Sequence, residues 1–358
     1  MSQEVVLVIN PGSTSTKLGL FTRAGAVQVE SIDHTGTEIC NMHSIVDQLP
    51  LRMQIIKHTF GPWLNSNRLA AVVGRGGLIG PVKGGVYTVN EDLKDVTINC
   101  RYATHASNLG ASIADGIARE YDVPAYIVDP VTVDEFIPLA RISGIPEIER
   151  RSRLHALNIN ACARKEAKKL GRSESELCFV VAHLGGGISV AAIEKGRIID
   201  CNDALLGMGP FSPERAGALP LEGIIKIAMN GDYTFKELAR KLTKESGLKG
   251  YLGTSNAIEI EERIDAGDGK ADLILQAMIY QVAKEIGAMA TTLRGKVDAV
   301  ILTGGLAHSE RIVGLLRERV QFIAALAVYP GENELESLAE GGFRALDGET
   351  EILNYQAK

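Results

Sequence analysis

Apolar residues fall in short blocks along the chain, and the blocks change period from one to the next. Val5–Ile9 is apolar at every position, as in a strand buried on both faces. A turn of glycine and hydroxyl residues follows, through Asn10, Gly12, Ser13 and Ser15, and a second apolar block reaches Phe21. The same strand–turn–strand order recurs from Phe179 to Ile193, with Gly185, Gly186 and Gly187 at its turn. A third strand is predicted over Ala26–Ser31. Further buried strands are predicted over Leu69–Val73, Ala125–Asp129, Leu177–Ala182, Asp298–Gly305 and Ala325–Glu332. Helical spacing covers Ile45–His58, where Pro50 limits continuity, and Asn108–Tyr121, with Leu109, Ile113 and Ile117 on one face. Ala271–Gly295 is apolar around much of its circumference, which predicts a buried helix. A short amphipathic helix reaches about Ala345. The polar, Arg-rich stretch Glu147–Asn158 is the candidate domain junction, and a helix after it ends near Gly171.

Glycine at the two hairpin turns lets backbone N–H groups approach a ligand, and an anion suits such a nest. The helix-based phosphate motifs are absent. Gly295-Lys296 and Gly269-Lys270 lack the following Ser or Thr, and Gly74-Arg75-Gly76 has Ile79 where a third glycine belongs. A strand, not a helix, follows each turn. Such duplicated phosphate hairpins resemble those of the actin-like ATPase superfamily. The fold this implies is α/β, two ribonuclease H-like domains with mixed sheets hinged around a nucleotide cleft. The first is expected over 1–152, regaining the C-terminal helix from about 335 to 358; the second over 153–334.

Composition narrows the function. At 358 residues the chain exceeds one ordinary core. A net charge of −6 and the lack of a Lys/Arg run argue against nucleic-acid binding. Five scattered cysteines without a C-x-x-C pair read as reduced thiols. No basic and apolar leader opens the sequence and no apolar run is long enough to span a bilayer, so a cytoplasmic protein is expected.

The acceptor should leave a trace of its own. A sugar hydroxyl benefits from a carboxylate base, whereas a carboxylate is already ionised, with a pKa near ~4. It needs cations that offset repulsion by the γ-phosphate, and arginine forks serve best. Asn10 stands where actin-like ATPases and sugar kinases commonly have Asp. Arg75 lies in the turn Gly74-Arg75-Gly76-Gly77, and Arg215 in the Gly/Pro-rich stretch from Gly207 to Pro220.

The whole chain resembles the acetate and butyrate kinase family. The opening hairpin is similar to that family's first phosphate signature. The stretches Thr104–Ala111, Val128–Pro130, His183–Val190, Ile301–Ala307 and Pro330–Gly342 extend the match in order. The resemblance implies ATP/ADP and Mg2+ as cofactors. Asn10 would hold Mg2+ and phosphate with Ser13, Ser15 and Lys17. Arg75 and Arg215 would grip the carboxylate and the phosphoryl group in flight. His155 would donate a hydrogen bond to the transition state, with His105 on the acceptor side. Asp129 would orient metal or nucleotide, and Glu332, with Glu334 as the second candidate, would assist the metal. His183 with Gly185, Gly186 and Gly187 would form the second phosphate loop. Gly304, Gly305 and Leu306 would approach the adenosine, and Asn256 and Arg263 are further nucleotide-site candidates.

Besides a chain shorter than that of acetate kinases, two departures favour the butyrate side of the family. Acetate kinases usually carry Asn at the place of Gly186, and Arg75 sits in a compact turn without a flanking histidine. Neither fixes the acyl pocket, since a buried methylene is worth only ~0.8 kcal/mol. Acetate, isobutyrate or isovalerate therefore stay open as acceptors. A sugar kinase and a non-enzymatic actin-like ATPase are the other readings. A homodimer or larger homo-oligomer is the family-like expectation.

Overall fold

A computed structural model of the protein describes residues 3–42, 44–64 and 67–357, without the side chains of Cys40 and Asn41. The chain forms two compact units, Met1–Val133 with Asn333–Lys358, and Asp134–Glu332. The Arg-rich segment expected as the junction lies inside the second unit.

The first unit opens with β1 (Glu4–Pro11), β2 (Ser15–Thr22) and β3 (Gly25–Asp33), then α1 (Glu38–Asn41), α2 (Leu49–Leu64) and β4 (Arg68–Arg75). β5 (Val86–Thr88), α3 (Glu91–Ile98), α4 (Leu109–Tyr121) and β6 (Ala125–Val128) follow. The second unit holds α5 (Pro138–Arg141), α6 (Ala156–Leu170), β7 (Cys178–Leu184), β8 (Ile188–Glu194) and β9 (Arg197–Cys201). It continues with α7 (Leu221–Met229), α8 (Phe235–Lys244), α9 (Gly247–Leu252), α10 (Ala257–Asp265) and α11 (Gly269–Thr292). β10 (Ala299–Gly304), α12 (Glu310–Val320) and β11 (Leu326–Pro330) complete it. The chain then returns to the first unit as α13 (Glu334–Leu346) and β12 (Ile352–Asn354).

The two sheets share a plan. Their orders are β12-β5-β6-β4-β1-β2-β3 and β11-β10-β7-β8-β9. In each, three consecutive antiparallel strands are extended beyond the first strand by a parallel neighbour, β4 beside β1 and β10 beside β7. The two similar hairpins in the sequence are therefore the visible part of a repeated sheet.

Burial explains why the leading strands are apolar throughout. Val5, Leu7 and Ile9 of β1 pack with Ile56 and Phe60 of α2 and Ile113 and Ile117 of α4. On the opposite face α13 meets the sheet through two glycines. A Cβ on Gly341 would lie 2.6 Å from Val128 Cγ2, and one on Gly342 2.7 Å from Val73 Cγ2. These glycines permit helix–sheet contact.

Several expectations need correction. Pro50 does not limit a helix but sits in the first turn of α2, where the missing N–H is no loss, and α2 runs on to Leu64 through Pro62. α11 is not buried all round. Leu275, Met278, Ile279, Val282 and Ile286 form one inward stripe, while Leu273 and Tyr280 are exposed. Arg75 is the last residue of β4 rather than part of the turn after it.

Candidate active site

In the first unit the β1–β2 turn is closed by a hydrogen bond from Gly12 N–H to Ser15 O, 2.7 Å. Ser13 and Lys17 are exposed and Ser15 is half-buried. Beneath the turn lies Arg52 of α2, fully buried. It donates to Gly12 O (3.0 Å), Thr16 Oγ1 (2.7 Å) and Gln48 Oε1 (3.1 Å). Arg52 thus draws turn oxygens inward and places a positive charge under a nest suited to anions. Thr16 Oγ1 also bonds His34 Nε2, 2.8 Å, and burial together with the Arg52 charge pushes His34 below the usual histidine pKa. Sequence reading missed Arg52, although Arg52, Ile56 and Phe60 share one helical face, which marked it as inward.

The ends of β1, β4 and β6 and the start of α13 gather Asn10, Arg75, Asp129 and Glu334. Asn10 Nδ2 donates to Glu334 Oε2 at 2.7 Å. Arg75 Nε stands 3.8 Å from Glu334 Oε1, too far for a hydrogen bond, and Arg75 Nη1 donates to the Asp129 carbonyl at 3.1 Å. The guanidinium is buried, which lowers its pKa against the opposing pull of Glu334 and Asp129; it stays charged at neutral pH. Asp129 is buried just beyond β6 with φ of 38°, and its Oδ1 accepts Gly85 N–H at 2.8 Å. The carboxylate that meets Asn10 is Glu334; Glu332 falls at the end of the second unit.

His105 Nδ1 accepts the Ser107 N–H at 3.2 Å and lies 2.8 Å from Ser107 Oγ. Lost hydration and then the Arg75 charge lower its pKa. The glycines around Arg75 are explained by packing. A Cβ on Gly74 would come within 2.3 Å of Gly110 O, and one on Gly110 within 2.3 Å of Arg75 O. Gly77 is pressed on Asn108 and Gly76 on Pro130. Three separate sequence stretches therefore converge to hold one arginine.

In the second unit the β7–β8 turn contains Gly185, Gly186 and Gly187, with His183 paired across the strands to Ser189. Gly185 N–H points to Gly187 O at 3.3 Å. A Cβ on Gly187 would strike Arg215 Nη1 at 2.1 Å, whereas one on Gly186 would meet nothing closer than 3.8 Å. Arg215 donates to Ala204 O, its backbone is clasped by Ser212, and its buried Nε has no partner. It lines a cavity of about 20 Å3 with Leu205, Leu206 and Pro210, room for about one water. Burial lowers its pKa, opposed by Glu214 and Asp203.

His183 is not displayed on the loop but buried behind it. Its Nδ1 faces Asn158 Oδ1 at 2.8 Å, its Nε2 has no partner, and its ring stacks on His155, centroids 3.9 Å apart. Burial and then the Arg215 charge lower its pKa from 6.5 to about 4. The unfolded chain takes up this proton near 6.5 and the folded chain near 4, so stability is complete above the first value and falls toward the second. The loss should be about 3 kcal/mol. Urea midpoints measured across that window should decline with acidity, and less so in His183→Gln. A flat profile would contradict the burial argument.

At the end of β10, Gly304 has φ of 87° and presses on Leu184, while Gly305 opens toward space and starts a 3-10 turn with Leu306. Two nucleotide-site candidates have other work. Asn256 caps α10 by accepting Ile258 N–H at 3.0 Å, and Arg263 clamps Asp268 and Leu252 O. Asn158 and Ser189 escaped sequence reading. The signal for Ser189 was a hydroxyl opposite His183 at the end of an otherwise apolar hairpin.

Repeated sheets with glycine turns at their strand ends, one above buried Arg52 and one beside half-buried Arg215, have the arrangement of the actin-like ATPase fold. The chain belongs to the acetokinase family, whose model matches residues 147–343. It is a carboxylate kinase with ATP or ADP as its nucleotide. The structure of Porphyromonas gingivalis acetate kinase is similar, with TM-score 0.79 and 18% identity over 96% of this chain and 100% of that one. A propionate kinase from Francisella tularensis gives TM-score 0.75 and 19% identity, covering 95% and 99%. Acetate kinase from Entamoeba histolytica gives 0.75 and 18%, covering 96% and 99%. At these identities the likeness speaks to the fold. Among the described residues, no helix is long and apolar enough to cross a membrane.

Proposed function

We propose that the protein is a butyrate kinase, exchanging a phosphoryl group reversibly between ATP and butyrate to give ADP and butyryl phosphate. The carrying observation is Arg75, a buried cation at a strand end whose nearest carboxylate lies beyond hydrogen-bond distance at 3.8 Å. Such a guanidinium keeps donors available for an anionic acceptor, and no general base is needed to ionise it. Arg215, with its unpartnered Nε, serves the phosphoryl group. His155 donates to that group's oxygens, and the two glycine turns cradle phosphates. Catalysis then consists of positioning and charge neutralisation.

Asn10 Oδ1 and Glu334 Oε1, the two oxygens outside the Asn10 Nδ2–Glu334 Oε2 bond, are hard donors of the kind Mg2+ takes. When bound, the ion would offset phosphate charge. Asn10 and Glu334 would hold it, with Asp129 close to Arg75 as a further carboxylate.

The preference for butyrate over acetate rests on Gly186. Packing does not require glycine there, since a Cβ would be unopposed to 3.8 Å, so this departure from the usual acetate kinase Asn has no packing explanation. A homo-oligomer is supported by α7, which buries no residue of its own and exposes Leu221, Ile225, Ile227 and Met229. The substrate test compares kcat/KM for acetate, propionate, butyrate, isobutyrate and isovalerate by ADP release. Butyrate should lead acetate by at least tenfold, about 1.4 kcal/mol. A maximum at a branched acid or acetate would move the assignment to that acceptor.

A further inference from the structure

The stacked imidazoles of His155 and His183 lie with planes 13° from parallel, and each is held at Nδ1 by a different buried side chain. We propose that Ser189 is a positioning residue that fixes His155 as the Nε2–H tautomer, while Asn158 fixes His183 as the opposite, Nδ1–H tautomer. The inference rests on the reading of His155 as a donor to the transferring phosphoryl group and gives that reading its atomic basis.

Ser189 is fully buried, and its Oγ bonds two atoms of His155, the backbone N at 3.3 Å and Nδ1 at 2.8 Å. The backbone N–H can only donate, so Oγ accepts from it. The hydroxyl proton then has one acceptor among the described residues, His155 Nδ1. Were Nδ1 protonated, Oγ would accept twice and its own O–H would be buried without a partner, an arrangement that folded proteins avoid. The imidazole proton is therefore on Nε2.

Asn158 is equally constrained. Its Nδ2 donates to Gly331 O at 3.3 Å and Glu332 O at 2.7 Å, which turns Oδ1 toward His183. His183 Nδ1 must donate to that oxygen, leaving Nε2 as a bare lone pair facing Gly185. The nearby Arg215 charge opposes a second proton on this ring. The consequence concerns His155. An Nε2–H donates whether the ring is neutral or charged, so the group needs no prior proton uptake to serve a phosphoryl oxygen.

The test uses the full chain labelled with 15N-histidine and long-range 1H–15N spectra at neutral pH, with His155→Gln and His183→Gln assigning the signals. The wild type should show His155 protonated at Nε2 and His183 at Nδ1. A proton on His155 Nδ1 would overturn the proposal. In Ser189→Ala, His155 should become a mixture of tautomers, and kcat for acyl phosphate should fall about tenfold with KM values held within about twofold. Ser189→Thr, which keeps the hydroxyl, should restore both. Unchanged tautomer and kcat in Ser189→Ala would also overturn it. A wild type that phosphorylates no carboxylic acid would instead defeat the catalytic reading of His155, and the tautomer spectra, needing no substrate, would still decide on Ser189 and Asn158.

Discussion

Arg75→Ala is expected to lower kcat/KM for acyl phosphate formation by about 1,000-fold, roughly 4 kcal/mol, while ATP affinity stays within about threefold. The guanidinium stands 3.8 Å from Glu334 of the Asn10–Glu334 pair, and burial leaves its charge weakly screened. No water-filled surface can replace it in offsetting two anions brought together. The same substitution exposes structural debts, because Asp129 O loses a donor and Glu334 loses its counter-charge. Unfolding should therefore be measured beside activity, with an expected destabilisation of about 2 kcal/mol. Arg75→Lys keeps the charge but not the fork and should recover part of the rate. Arg75→Ala with wild-type turnover would remove Arg75 from the acceptor site.

Arg52→Met should produce the largest loss of stability, about 3–4 kcal/mol, and should raise KM for ATP. Met fills much of the stem volume but leaves Gly12 O, Gln48 Oε1 and Thr16 Oγ1 without the donors Arg52 supplies. Those groups lie directly under the first glycine turn, so the turn loses both its brace and the charge behind it. Urea denaturation with an unchanged slope and a lower midpoint would report this. An unchanged midpoint would show that the bonds beneath the turn are dispensable, and unchanged ATP binding that the charge does not reach the nucleotide.

The sequence carried the fold where one period governs a segment. β1, β7 and β10 are apolar at nearly every position because both faces are covered, and α4 shows its buried Leu109, Ile113 and Ile117 at helical spacing. It was silent on α7, which buries no residue of its own, whereas α8 half-buries Leu238 and Leu242 at helical spacing, a pattern that sequence reading passed over. The glycines were visible but ambiguous. Gly74, Gly110, Gly341 and Gly342 answer to close packing, whereas Gly186 and Gly305 border open space, and only three-dimensional neighbours separate the two cases.

The candidate site divides along similar lines. Asn10, Arg75, Asp129, His155 and Arg215 stood in motifs, and the structure supplies their supports. Arg52, Asn158 and Ser189 act through one or two hydrogen bonds to other residues, and nothing in local periodicity announces such a bond. Glu334 was overshadowed by Glu332 because both follow the last strand of the second unit. The bond to Asn10, 324 positions away along the chain, distinguishes them.

The most direct measurement of the central claim is ATP- and Mg2+-dependent formation of hydroxamate when hydroxylamine traps the product made from butyrate. The account predicts butyryl hydroxamate in proportion to ADP released, with Arg75→Ala at least 100-fold slower. ADP release without hydroxamate from butyrate or any other short carboxylic acid would contradict phosphoryl transfer to a carboxylate.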